Sequence, residues 1–135
     1  MDRFQTSIAP GLGRVLLSLI FIWAGIGKLM APSMTIGYIG SSGLPLPEVG
    51  YALSVIVELG GGLLLLAGLL TRPVALVLAV FCLFTAFVFH VFGDQANQIN
   101  AMKNIAMAGG FLFVAAYGAG TWSLDALRLR HAAHA

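Results

Sequence analysis

The feature that most constrains this chain is an acidic residue inside an apolar run long enough to cross a bilayer. The stretch YALSVIVELGGGLLLLAGLLT spans residues 51 to 71, and Glu58 is its only charged group. A transmembrane helix needs about 20 apolar residues, and a carboxylate within one costs on the order of 3 kcal/mol unless a partner receives it. The pattern predicts a membrane span whose Glu58 side chain meets a polar partner.

The composition of the chain indicates an integral membrane protein with one domain over residues 1–135. Hydrophobic residues make up 59% of the sequence and charged residues 9%, against about 25% charged residues in soluble proteins. The net charge of +2 comes from scattered groups, so we expect no nucleic-acid partner. The single cysteine, Cys82, excludes an intramolecular disulfide and a dithiol redox mechanism.

Glycine, proline and polar residues divide the chain into four predicted spans. The spans are expected at about residues 12–30, 50–70, 74–92 and 101–118, with a short interfacial helix at 33–40. The turn Thr71-Arg72-Pro73 is so short that the second and third spans must form an antiparallel hairpin, and Pro73 suits the first position of a helix. The expected fold is an all-α, antiparallel four-helix transmembrane bundle in the lipid bilayer.

Positive charges in the short loops predict that both termini are cytoplasmic. With that orientation five arginines lie on the cytoplasmic side: Arg3, Arg14, Arg72, Arg128 and Arg130. Only Lys28 and Lys103 lie on the outer side. We therefore expect a multi-pass protein of the bacterial inner membrane, with the first and third connections outside.

This topology brings polar residues from all four spans into the outer half of the bundle. The predicted polar cluster consists of Lys28, Glu58, His90, Lys103 and Asn104. Counted from Gly50, Glu58 lies about 12 Å along its helix, where Lys28 or Lys103 can offset its charge. An ionised Glu58 beside His90 could relay a proton or contact a quinone headgroup, whereas a protonated Glu58 would donate a hydrogen bond to a neighbouring helix.

Each member of the cluster also has a purely structural interpretation. Glu58 can pair with a lysine simply to hold two helices together, and His90 lies close enough to the interface to be hydrated. Lys28 and Lys103 can act as interfacial anchors. Asn104 can form an interhelical hydrogen bond worth about 1 kcal/mol.

Glycines on the second and fourth spans predict close packing between helices. These helix-packing residues are Gly61, Gly62, Gly109 and Gly110. The first two follow Glu58 by three and four residues, so they share its helix face. His131 and His134 are one helical turn apart on the terminal tail, and we expect no metal site there.

Five sequence features, taken in order, resemble one known family. They are the Gly-x-Gly-Lys-Leu end of the first span, Glu58 with the following glycines and Gly68-Leu-Leu-Thr-Arg-Pro, His90, Lys103-Asn104 with Gly109-Gly110, and Gly118-x-Gly120-x-x-Ser123-Leu124-Asp125. From about Arg14 to Asp125 the chain resembles the DoxX family of small four-span bacterial inner-membrane proteins. The resemblance implies a four-helix bundle, and some relatives look like membrane subunits of redox assemblies that pass electrons from sulfur compounds to quinone.

The sequence and the resemblance together favour an accessory or redox-associated membrane subunit. The chain has no cysteine pair, no pair of haem-ligand histidines within the bilayer and no nucleotide motif, so we expect neither a covalently bound cofactor nor an enzyme acting on its own. The outer polar cluster is a candidate quinone site, and a soluble redox enzyme is the candidate partner. The alternatives are a homo-oligomeric module that passes protons or small solutes and a structural membrane anchor for a soluble enzyme.

Overall fold

The chain is helical almost throughout. The computed structural model describes residues 3–133, in which four helices are long and apolar enough to cross a bilayer. They are span 1 (Ala9–Met30), span 2 (Pro47–Ala67), span 3 (Thr71–His90) and span 4 (Gln95–Tyr117). A π-helical turn at Phe4–Ile8 precedes span 1, a connecting helix at Pro32–Ser41 joins spans 1 and 2, and a terminal helix at Leu124–Ala132 follows span 4. The prediction of an all-α, four-helix membrane bundle is confirmed.

The spans begin several residues before their predicted starts, and two kinds of residue explain the difference. Span 2 begins at Pro47 rather than at 50, because a proline in the first turn gives up no helical hydrogen bond. Span 4 begins at Gln95 rather than at 101, because the Asp94 side chain caps it by accepting a hydrogen bond from the Asn97 amide at 3.0 Å. Residues 95–100, which lie between the third and fourth predicted spans, therefore form the first turns of span 4.

The four spans pack in chain order around a core in the middle of the bundle. Span 3 packs most extensively on span 4, and span 4 returns to touch span 1 only lightly. The core contains Phe21, Leu65, Leu78, Cys82 and Phe111, all buried. Phe21 of span 1 and Phe111 of span 4 meet edge to face, with ring centroids 5.3 Å apart. This apolar layer separates two ends of the bundle, named here the Lys28 end and the Arg14 end.

Glycines allow spans 1 and 2 to cross closely. A Cβ at Gly62 would lie 3.1 Å from the backbone nitrogen of Ile22, and one at Gly25 would lie 2.9 Å from the backbone nitrogen of Leu59. Gly61 instead faces span 3, where its Cβ would lie 3.1 Å from Leu78. The crossing of spans 1 and 2 therefore depends on both Gly62 and Gly25.

The two predicted glycines of span 4 differ in their surroundings. A Cβ at Gly110 would lie 3.5 Å from the Leu17 side chain, an ordinary van der Waals contact with span 1. A Cβ at Gly109 would meet no atom within 4 Å among the described residues. Only Gly110 lies at a helix contact in this structure.

Arg14 joins three parts of the chain at its end of the bundle. Its side chain is only 4% exposed, and its Nη1 donates to the carbonyl oxygen of Leu65 at 2.6 Å and to that of Leu66. Its Nη2 donates to the carbonyl oxygen of Trp122 at 2.7 Å. The last carbonyls of a helix lack partners within that helix, so Arg14 satisfies the end of span 2 while holding the segment before the terminal helix.

The terminal helix is fastened to the turn between spans 2 and 3. Ser123 caps it by accepting a hydrogen bond from the Ala126 amide at 3.1 Å. The Asp125 carboxylate accepts from the amides of Leu70 and Thr71, both at 2.9 Å, and so also caps span 3. Partial burial alone would raise the pKa of Asp125, but these hydrogen bonds and the charge of Arg128 outweigh it and lower the pKa below its usual value.

Candidate functional site: a cavity at the Lys28 end

A cavity of about 270 Å³ lies between all four spans and beneath the connecting helix. Most of its lining is apolar, including Ile20, Phe21, Phe81, Phe84 and Met107. The polar side chains that line it are Lys28, Thr35, Tyr38, Ser54, Glu58, Thr85, His90 and Asn104. Four of the five residues of the predicted polar cluster are thus brought to one cavity.

The central polar contact is an ion pair between span 1 and span 2. Lys28 Nζ donates to Glu58 Oε2 at 2.5 Å. Glu58 is 7% exposed and lies near the middle of span 2, whereas the Lys28 side chain is 25% exposed and lies near the end of span 1. The lysine therefore reaches inward along the cavity to meet the carboxylate, and its two remaining N–H groups are available to a bound molecule.

Both Glu58 and His90 lie in π-helical turns, at Ile56–Gly60 and Ala86–His90. A π-helical turn adds a residue to the helical repeat and is found mostly as a single turn inside an α-helix, frequently at functional sites. The extra residue rotates the side chains that follow it relative to those before it. Each turn thus changes which side chains its span presents to the cavity.

The remaining polar residues of the predicted cluster lie at different distances from the ion pair. His90 lines the cavity, and its Nδ1 lies 3.3 Å from Oδ1 of Asn97 on span 4. Asn104 lines the wall formed by span 4. Lys103 is exposed and does not line the cavity, because adjacent residues of an α-helix point about 100° apart. The structure therefore pairs Glu58 with Lys28 and places Lys103 on the outside of the bundle.

The connecting helix covers the Lys28 end of the cavity. Tyr38 stacks on Phe89 of span 3, with ring centroids 5.5 Å apart. Ile39 is buried against span 2, where a Cβ at Gly50 would lie 3.3 Å from its side chain. At the opposite end the cavity stops at Phe21, whose ring rests on Phe111. The cavity is therefore a pocket in one half of the bundle and does not continue to the Arg14 end.

Three of the hydroxyl groups in the cavity donate their protons to nearby backbone carbonyls. Thr35 donates to Ala31, Ser54 to Tyr51, and Thr85 to the carbonyls of span 3, at distances between 2.8 and 3.1 Å. Lys28 and Asn104 line the cavity with N–H groups that can donate hydrogen bonds to a ligand. The arrangement suits a mainly apolar molecule that carries hydrogen-bond acceptors.

Comparison with known proteins identifies the family of this chain. A profile of the DoxX family matches residues 9–91, which include spans 1 to 3 and both π-helical turns around the cavity. The chain belongs to the DoxX family.

Two relatives of the chain come from Escherichia coli K12. Inner membrane protein YqjF is 41% identical over 119 residues, covering 86% of this chain and 88% of YqjF. Inner membrane protein YphA is 35% identical over 120 residues, covering 84% of this chain and 86% of YphA. No solved structure matches the chain significantly. With these relatives and four membrane-spanning helices, this DoxX protein resides in the inner membrane, in contact with the lipid bilayer.

Two structurally important residues of this DoxX chain lie outside the predicted site. In the sequence, Arg14 stands out only as a positive loop charge and as part of the family resemblance, and Asp125 only as part of that resemblance. One sequence feature could have identified Arg14: it lies several residues inside the apolar segment of span 1. A charged side chain at that position needs a buried polar partner, as Glu58 does. On the terminal helix, the His131 Nδ1 lies 2.9 Å from the Leu127 carbonyl oxygen. His134 lies outside the described residues.

Proposed function

We propose that this DoxX protein is an accessory, redox-associated membrane subunit that binds the headgroup of a quinone in the cavity at the Lys28 end. The observation that carries the proposal is the Lys28–Glu58 ion pair inside a largely apolar cavity. Ligand sites of this kind are mostly apolar with a few placed polar groups that fix orientation. The proposed role is binding and positioning, with electron transfer belonging to a soluble redox partner.

The size of the cavity fits a single substituted ring. An apolar cavity of about 150 Å³ in another protein accommodates benzene, so about 270 Å³ leaves room for a ring with its substituents. Phe81, Phe84 and Phe89 supply aromatic surface around that space. Offset or edge-on contacts with aromatic rings stabilise a planar ligand by about 0.5–1.5 kcal/mol each.

The hydrogen-bonding groups fit the two carbonyl oxygens of a quinone. Such oxygens accept hydrogen bonds and donate none, which matches the free N–H groups of Lys28 and Asn104. Glu58 has a positioning role, because it holds the Lys28 ammonium within the cavity at 2.5 Å. His90 lines the same space.

The two other functional classes have less support in the geometry. A permeation module needs a polar path through the membrane. In the part of the chain that the structure describes, the interior of the bundle below the cavity is instead filled by Phe21, Leu65, Leu78 and Phe111. A purely structural anchor has no need of a cavity that collects polar groups from all four spans. We also propose that both termini are cytoplasmic, which puts the cavity in the outer half of the membrane.

A binding titration with decylubiquinone tests the function. The purified protein in detergent is expected to bind this quinone, and Lys28→Met is expected to weaken binding by about 10- to 100-fold, since a hydrogen bond from a charged donor is worth about 1.5–3 kcal/mol. Lys103→Met is the matched control, because Lys103 is exposed and outside the cavity. We expect that variant to bind within twofold of the wild type.

The same preparation tests the accessory role. Purification from native membranes is expected to recover a soluble redox enzyme together with the protein and bound quinone. Absence of decylubiquinone binding by the wild type, or equal loss in the two lysine variants, would contradict the proposed site. A homo-oligomer recovered with neither quinone nor enzyme would favour the permeation or structural alternatives.

A further inference from the structure

We infer that the cavity receives its ligand sideways from the bilayer, through an opening between span 1 and span 4, and that the ligand carries a hydrocarbon tail. This side opening is bordered by Ile20, Ala24, Asn104 and Met107. The inference rests on the proposed function and narrows its ligand to a lipid-soluble molecule whose ring occupies the cavity while its tail lies among the lipids.

The route from water at the Lys28 end is covered. Tyr38 and Ile39 of the connecting helix both line the cavity, the first stacked on Phe89 and the second packed against Gly50. Leu44, in the segment that follows, lines the cavity as well. A water-soluble solute would have to displace this helix from contacts with two spans.

Spans 1 and 4 pack only lightly on one another. Two of their contacts lie at and below the floor of the cavity: the edge-to-face pair of Phe21 and Phe111, and the position of Leu17 beside Gly110. Ile20, at the level of Phe21, and Ala24, one turn closer to the Lys28 end, line the same space as Asn104 and Met107 of span 4. Because the two spans pack lightly and both border the cavity at this level, we place the opening between them.

The side opening lies at the depth of the lipid tails. Ile20 and Met107 are each near the middle of their spans, so they sit close to the centre of a hydrocarbon layer about 30 Å thick. Ile20 is 48% exposed although it lines the cavity, so the cavity meets the surface of the bundle at this residue. The border is apolar apart from Asn104. A hydrocarbon chain leaving the cavity here would enter the bilayer directly.

The chemistry of the opening also orients the ligand. The ion pair of Lys28 and Glu58 presents polar groups inside the cavity. The border of the side opening is apolar apart from Asn104, so it has little to bind a polar solute. An amphiphile with an acceptor-bearing ring and a tail satisfies both parts. A small polar solute satisfies only the first.

Tryptophan substitutions at two neighbouring positions test the route. Ile20→Trp places a large ring in the side opening, while Leu19→Trp places the same ring on the lipid-facing surface of span 1, where Leu19 is 52% exposed and outside the cavity lining. Binding of decylubiquinone and of the tail-less ubiquinone-0 is measured for both variants and the wild type. Comparing variant with wild type in the same detergent cancels the partitioning of each quinone into micelles.

The expected result is a loss of at least tenfold in decylubiquinone affinity for Ile20→Trp, with ubiquinone-0 affinity within threefold of the wild type and Leu19→Trp unchanged for both. A similar response of both quinones, or of both variants, would overturn the side opening while leaving headgroup binding intact. If the wild type binds neither quinone, the proposed function and this inference both fail.

A second measurement needs no variant. A quinone with a photoreactive diazirine in its tail is bound to the wild-type protein and irradiated, and the labelled peptides are identified by mass spectrometry. The label is expected on spans 1 and 4 near Ile20 and Met107. Label confined to the connecting helix would show entry from the aqueous side and would contradict the inference.

Discussion

Removing one partner of the Lys28–Glu58 pair at a time separates its contribution to stability from its contribution to binding. Lys28→Met leaves the Glu58 carboxylate, which is 7% exposed, without its cation near the middle of span 2. Breaking a buried pair from one side costs about 3–5 kcal/mol. We expect a loss near the lower limit, about 3 kcal/mol, because the charge borders a cavity that can admit water.

Glu58→Gln is expected to cost less than Lys28→Met. The Gln side chain keeps a carbonyl oxygen for Lys28, and the Lys28 side chain is already 25% exposed near the end of span 1. Its ammonium can therefore extend toward the interface. The net loss should be about 1 kcal/mol, the usual contribution of one neutral hydrogen bond. The double variant Lys28→Met/Glu58→Gln carries no uncompensated charge and should resemble Glu58→Gln.

The assay is equilibrium unfolding in mixed micelles by addition of sodium dodecyl sulfate, followed by far-UV circular dichroism. The expected order of stability is wild type, then Glu58→Gln with the double variant close to it, then Lys28→Met. Equal losses for the two single variants, or a double variant less stable than Lys28→Met, would show that the unpaired buried carboxylate is not the main cause of the destabilisation. A stable double variant that no longer binds decylubiquinone would show that the pair serves the ligand in addition to the fold.

Three further predictions follow from other parts of the structure. Gly25→Ala should destabilise the protein by about 1–3 kcal/mol through overpacking, because its Cβ would lie 2.9 Å from the Leu59 backbone nitrogen. The control is Gly109→Ala, whose Cβ would lie in open space. In the same unfolding assay it should be neutral or stabilising by up to about 1 kcal/mol. The lowered pKa of Asp125 stabilises attachment of the terminal helix at pH values above the unfolded pKa of about 3.9, and this contribution is lost as the pH falls through the folded pKa. Protection factors of the terminal-helix amides, corrected for the intrinsic pH dependence of exchange, should therefore fall in acid. This fall should be reduced in Asp125→Asn and retained in the control Glu48→Gln, because Glu48 is exposed. A carboxyl-terminal fusion to green fluorescent protein should fluoresce and one to alkaline phosphatase should be inactive, since both termini are expected in the cytoplasm; an active phosphatase fusion would reverse the proposed orientation.

The sequence predicts the depth of the polar residues better than their direction. Apolar length and turn residues are enough to define four spans, and loop length is enough to pair spans 2 and 3. Depth along each span follows from counting residues, so Lys28, Glu58 and His90 are expected in one region. Rotation about a helix axis depends on packing, and for that reason the sequence alone cannot choose between Lys103 and its neighbour Asn104.

Other features of the structure arise from contacts between distant parts of the chain. The π-helical turns at Glu58 and His90 change side-chain direction within spans 2 and 3, and no residue type in the sequence predicts them. Gly25 looks like any glycine of a membrane helix until Leu59 is placed against it. Asp125 resembles an ordinary surface charge until the amides at the start of span 3 supply its backbone partners.

The hydrogen bond from Arg14 to Trp122 has a consequence for the order in which this protein can mature in the cell. The two residues are 108 positions apart, so the guanidinium enters the membrane well before its acceptor at Trp122 has been synthesised. Until then span 1 carries a cation that lacks one of its hydrogen-bond acceptors, which disfavours final packing. Nascent chains that stop before Trp122 should therefore stay loosely assembled, whereas chains that extend past Trp122 can form this bond.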